Sequence, residues 1–141
     1  MKSKLKIYTS YVSPLTLEAV IKNNILPIFI IRSIYNSQLI GRYSDTALHF
    51  KNLSPSDNLF RNKRDGIISD LEFKKGYIIE MSRVNFHEII KRLDYLASLS
   101  GAAGVVLMGY GSSYESCHRK ILAELLNGSG LLENNIKELI I

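Results

Sequence analysis

Two apolar runs without polar alternation constrain this chain most: Ile28-Phe29-Ile30-Ile31, and the stretch from Gly104 to Met108. A strand with one face in water alternates apolar and polar residues, whereas an unbroken apolar run has both faces covered. Such strands belong to parallel sheets with helices packed on the sheet, because a parallel pair needs a long crossover between its strands. Neither Ile25 to Ile31 nor Gly101 to Tyr110 reaches the roughly 20 residues that a membrane-spanning helix needs. No membrane association is expected.

The segments around these runs fit crossovers. Leu5 to Val12 reads as a first strand, with Leu5, Ile7 and Val12 assigned to one face. Ser13-Pro14 opens a helix with serine as cap and proline at the first helical position, and Leu17, Val20 and Ile21 form its apolar face. Asn23-Asn24 stops it before the second strand, Leu26 to Ser33, which has Pro27 at its start. A loose connection then runs from Ile34 to Arg64, in which Ser56-Asp57-Asn58-Leu59 caps one short helix. Ser69 with Glu72 makes a capping box for a helix carrying Leu71, Phe73, Tyr77 and Met81, weakened by Gly76. Asn85 caps the next, whose stripe of Phe86, Ile89, Ile90, Leu93, Leu96 and Ala97 ends near Gly101.

Gly104 to Tyr110 is a third strand, followed by the turn Gly109-Tyr110-Gly111-Ser112-Ser113 and a helix that Ser112 and Glu115 box-cap. That helix runs to about Asn127, and Ile136 to Ile141 reads as a last strand. Strands alternate with helices and no repeat appears. The expectation is one α/β domain over residues 1–141, a small three-layer fold with a mostly parallel sheet flanked by helices.

The formal net charge is +5, but the cations are spread, with the densest groups at Lys2/Lys4/Lys6 and Arg61/Lys63/Arg64. A solvated surface is favoured over a dedicated nucleic-acid face. A single cysteine excludes an internal disulfide and an all-cysteine metal site, and three scattered histidines give no ligand spacing. No cofactor and no metal is expected. No secretory signal pattern follows the basic start, so a cytoplasmic protein is expected.

In open parallel sheets ligands bind beyond the carboxyl ends of the strands. Three segments converge there: Tyr8 to Pro14, Ile31 to Gln38, and Gly109 to Arg119. Gly109 and Gly111 would let backbone approach a ligand, and N–H groups at the following helix start favour an anion. Arg32 and Arg119 are the cationic candidates. Cys117, the only thiol, stands beside His118 and Arg119, residue types from which a low-pKa thiolate can be built. An inert alternative stands beside each. Cys117, Ile121 and Leu125 share one helical face, which fits a thiol at the start of a core stripe, and Glu115, four residues before Arg119, fits an ion pair with it on a solvated face. His118 projects about 100° from Cys117 on a helix, which leaves His49, His87 or water as a base.

Several other classes lack their motifs. There is no Gly-x-Ser-x-Gly elbow, no phosphate-loop lysine, and no third glycine of a dinucleotide fingerprint. Tyr8, Tyr11, Tyr35 and Tyr110 fall near strand ends, as pocket lining or as core-edge filler.

Leu53-Ser54-Pro55-Ser56-x-x-Leu59, Phe73-x-x-x-Tyr77-x-x-Glu80-Met81 and Cys117-His118-Arg119 in this order resemble the domain-of-unknown-function 488 (YeaO-like) family. The resemblance covers most of the chain and implies a compact α/β fold with no established activity. The family's site pattern would map onto Arg32, Pro55, Ser56, Cys117, His118 and Arg119. Two places depart from it. Ile30 stands where many members have aspartate, and Gly109-Tyr110-Gly111 stands where Cys-Ala-Glu is common.

Three functions fit. In one, Cys117 is the reactive centre of a small enzyme, with Arg32, Ser56, Gly109, Gly111, His118 and Arg119 holding an anionic substrate. In the second, the same cleft and the basic Arg61–Arg64 loop bind nucleotide or nucleic acid without catalysis. In the third, Cys117 is core and the domain is structural. Oligomeric state is not legible in the chain.

Overall fold

The computed structural model describes residues 2–32, 48–109 and 118–139. Among them the chain runs β1 (Ile7–Tyr11), α1 (Pro14–Lys22), β2 (Ile25–Phe29), a 3-10 turn (Lys51–Leu53), α2 (Asp57–Arg64), α3 (Asp70–Met81), α4 (Phe86–Ser100), β3 (Gly104–Gly109), α5 (His118–Asn127) and β4 (Lys137–Glu138). The four strands form one parallel sheet in the order β2-β3-β1-β4. This is the three-layer α/β domain that the apolar runs imply.

Helix α1 covers one face, where Leu17 and Val20 meet Phe29, Ile31, Val106 and Met108. On the other face Ile28, Ile30, Val105 and Leu107 meet buried residues of α3, α4 and α5. The run in β2 is therefore covered on both faces although β2 is an edge strand. Its edge position also explains how it tolerates Pro27, which has no N–H for a ladder. The outer side is partly closed by the returning chain, where the Phe50 N–H donates to the Phe29 carbonyl at 2.8 Å.

Local signals account for the helix ends. Ser13 caps α1 in a reciprocal box with Thr16, Ser69 does so for α3 with Glu72, Ser56 caps α2 and Asn85 caps α4. Asn24, at φ 58°, takes the left-handed turn that ends α1, and its side-chain amide donates to the Gly101 carbonyl at 3.0 Å.

Some expectations need correction. Val12 packs with the α1-side cluster, not with Leu5 and Ile7, because strand side chains alternate and Val12 lies an odd number of residues from both. Ile21 and Leu71, placed on helix core faces, are 39% and 60% exposed; Thr16 takes the buried place on α1. The terminal strand comprises Lys137–Glu138, paired with Tyr8 and Thr9, while residues 140–141 lie outside the described residues. So do Tyr110, the turn to Ser113, the Ser112/Glu115 box, Tyr35 and Ser33 to Gln38.

Two glycines serve close approach. A Cβ at Gly76 would lie 2.7 Å from Leu59 Cδ1, so its absence lets α2 sit against α3. At Gly104 a Cβ would stand 2.6 Å from the Lys6 carbonyl oxygen, which accepts the Val105 N–H at 3.0 Å. Gly104→Ala must shift backbone. A loss of about 2 kcal/mol, typical of overpacking, is the expected result in urea unfolding.

Candidate functional site

The crossover from β1 through α1 leads to β2 on one side of the sheet, and that from β3 through α5 leads to β4 on the other. The strand order therefore switches between β1 and β3, the place at which open parallel sheets generally take their ligands. There the Val12 N–H donates to the Gly109 carbonyl at 2.9 Å, and Ser13 starts α1.

The end of β2 holds two imidazoles. Carbonyls along a strand point alternately to its two sides. Ile30, whose N–H meets the Met108 carbonyl of β3, offers its own carbonyl to His118 Nε2 at 2.6 Å. Ile31 offers the next to His49 Nε2 at 2.5 Å. A carbonyl only accepts, so Nε2 of each ring carries a proton and donates it. The edge of the His118 ring also meets the Tyr77 ring, with centroids 5.6 Å apart. Tyr77 is fully buried, and its hydroxyl donates to the Leu53 carbonyl at 2.6 Å.

Arg32 follows directly. Its Nη1 donates to Asp57 Oδ1 at 2.6 Å, and its guanidinium lies 4.0 Å from the centre of the Phe60 ring. The hydrogen bond from Arg32 holds the Asp57 carboxyl below its ordinary value of 3.8. The pair forms with ionised Asp57, so what it contributes is present above that value and is lost as pH falls through the lowered pKa. Next to Asp57, the Ser56 N–H and hydroxyl both donate to the Glu80 carboxylate, at 2.9 and 2.5 Å. An acidic group at the start of α2 suits its dipole.

Arg119 goes the other way. Neighbours on a helix project about 100° apart, so His118 reaches β2 while Arg119 reaches the β1–β4 side. Arg119 is wholly buried; its Nη2 donates to Glu138 Oε2 at 3.0 Å and its Nε to Oε1 at 3.2 Å. Thr9 Oγ1 donates to the same carboxylate at 2.6 Å. The solvated face considered for Arg119 is thus replaced by a buried ion pair that ties α5 to β4.

The strand ends therefore bring together Arg32, Ser56, Gly109 and His118. Ser56 is engaged as the cap of α2, and Gly109 is buried as the last residue of β3. Cys117 and Gly111 lie outside the described residues. Of the suggested bases, His49 stands at the end of β2, whereas the His87 side chain is 71% exposed on α4 beside Glu88. Glu80, Asp57 and Glu138 were not singled out by sequence as site residues. Glu80 does belong to the Phe73–Met81 motif, but its partner Ser56 is 24 positions away. Among the described residues no group of three or more His, Cys, Asp and Glu side chains could hold a metal ion, and no helix is long and apolar enough to cross a membrane.

Fold and site together define a small parallel α/β protein with imidazole and guanidinium groups gathered at its strand ends. A family model described as the active DUF488-N3 subclade matches residues 29–130. The chain belongs to that family, as the order of its motifs indicates. The match takes in Arg32, Ser56, Glu80 and the Cys117-His118-Arg119 run and leaves out β1 and Glu138. No curated protein and no solved structure matches the chain.

Proposed function

We propose that this protein is an enzyme that handles a small anionic substrate in the crevice beyond β1, β2 and β3, with Cys117 as its reacting centre. The observation that carries this is the fixing of His118 on the Ile30 carbonyl, two residues before Arg32. It holds an imidazole of fixed orientation and a guanidinium at the same strand end. Cys117 directly precedes His118 in the chain. The description of the matching family as an active subclade supports catalysis over passive binding.

Each residue then has a role. Cys117 supplies a thiolate, and the His118 imidazole acts as the acid–base group toward the substrate or a bound water. Arg32 takes the substrate anion in competition with Asp57. Arg119 positions α5 through Glu138 and does not touch the substrate.

The test uses the uniqueness of the thiol. Alkylation of Cys117 by iodoacetamide is followed at neutral pH with and without inorganic phosphate. Phosphate is expected to slow the reaction. Arg32→Ala should abolish the slowing, and Asp57→Ala should strengthen it by removing the competing carboxylate. Alkylation indifferent to phosphate in the native protein would overturn the assignment of an anion site around Cys117.

A further inference from the structure

Helix α4 feeds β3 from the far side of the sheet, so its start at Phe86 lies at the same end as the strand carboxyl termini. Beside that start is an open groove of about 690 Å³, lined among others by Asn52, Arg83, Lys91, Arg92 and Tyr95. This volume lies in the range of ligand-sized clefts, about 300–1,000 Å³. Arg83, Lys91 and Arg92 make no ion pair among the described residues, and Glu88 is the one carboxylate on the lining.

Two aromatic features accompany the charge. Tyr95 is 64% exposed, and the Arg92 guanidinium lies 4.7 Å from the centre of the Phe50 ring, which presents it as a flat cation. Lys91 also lines a second groove of about 360 Å³ on the other flank of α4, together with Lys2 and Lys4. Asp94 there accepts from the Ser3 hydroxyl at 2.7 Å. Five cations thus border two concave surfaces that share one helix.

We infer that this surface binds single-stranded nucleic acid, with the phosphates along Arg83, Lys91 and Arg92 and a base stacked on Tyr95. Spaced cations along a groove follow a phosphodiester backbone, and an exposed aromatic ring takes an unstacked base of any sequence. Asn52 on the groove leads through Leu53, Ser54 and Pro55 to Ser56 and Asp57, the residues that hold Glu80 and Arg32. A strand in the groove therefore lies on a path towards the candidate site. The inference stands on the groove alone and is independent of any chemistry at Cys117.

Fluorescence anisotropy with a labelled single-stranded DNA of about 12 nucleotides tests it on the full chain. With three phosphates neutralised, log affinity should fall against log salt with a slope of about −2, at about −0.7 per contact. Lys91→Ala with Arg83→Ala should weaken binding about tenfold and flatten the slope to about −0.7. Tyr95→Ala should weaken it about tenfold with the slope unchanged. All three residues are on the surface, so thermal unfolding should not move, and the Cys117 alkylation rate should stay at the native value. Binding that Arg32→Ala abolishes and the groove variants leave intact would overturn this location. Binding to anionic phospholipid vesicles or a polyglutamate peptide without binding to the oligonucleotide would overturn the class of partner.

Discussion

Replacing Glu138 with alanine is expected to destabilise the protein by about 3 kcal/mol, the range seen when one member of a buried ion pair is removed. Arg119 is wholly buried, and Glu138 gives it two hydrogen bonds from a position where the carboxylate is only 23% exposed. The substitution leaves a guanidinium in the core without that counter-charge and also strips the acceptor from Thr9 Oγ1. Arg119→Met in the same background should recover most of the loss, because an apolar pair of similar volume is often as stable as the ion pair it replaces. Urea midpoints for the two single variants and the double variant check this. A Glu138→Ala variant as stable as the native chain would show that β4 does not depend on the pair.

The second large effect is at Tyr77. Tyr77→Ala should cost about 4 kcal/mol, as do other buried aromatic truncations, since the ring is fully buried against Phe73 and His118. Tyr77→Phe separates packing from polarity. It keeps the ring and removes only the hydroxyl bonded to the Leu53 carbonyl, for an expected loss of about 1.5 kcal/mol. If the phenylalanine variant loses as much as the alanine variant, the hydrogen bond rather than the ring supports this part of the site.

These two residues show where sequence reading works and where it stops. The buried side of Tyr77 was legible, because Phe73, Tyr77 and Met81 repeat at helical spacing after a capping box. The strands were legible because unbroken apolar runs have few other uses, and Ser13, Ser69 and Asn85 announce helices through contacts only three residues long. Sheet order was not, since a run covered on both faces reads alike at the centre and at the edge. The geometry of the candidate site was half legible. Arg32 and His118 stood out by type and by position at strand ends. Their partners did not: His118 bonds a main-chain carbonyl 88 positions away, which leaves no trace in residue identity, and Glu138 lies 19 positions from Arg119 in another element. Arg119 itself read equally well as a solvated residue, and only the position of β4 decides it.

The same geometry explains why adjacent residues take different work. His118 and Arg119 open α5 and diverge to either side of β3, one to β2 and one to the β1–β4 pair. The ion pair fixes the helix, and the fixed helix presents the imidazole. Substitutions at Glu138 should therefore disturb the His118–Ile30 hydrogen bond as well as stability.

The measurement that bears most directly on a reactive strand end is the alkylation rate of Cys117 against pH, in the folded protein and in denaturant. A free thiol titrates near 8.5, and the denatured chain should show that midpoint. The proposed function predicts fast alkylation of the folded protein with a midpoint well below it. A folded protein that reacts only as it unfolds would make Cys117 a core residue and contradict the proposal.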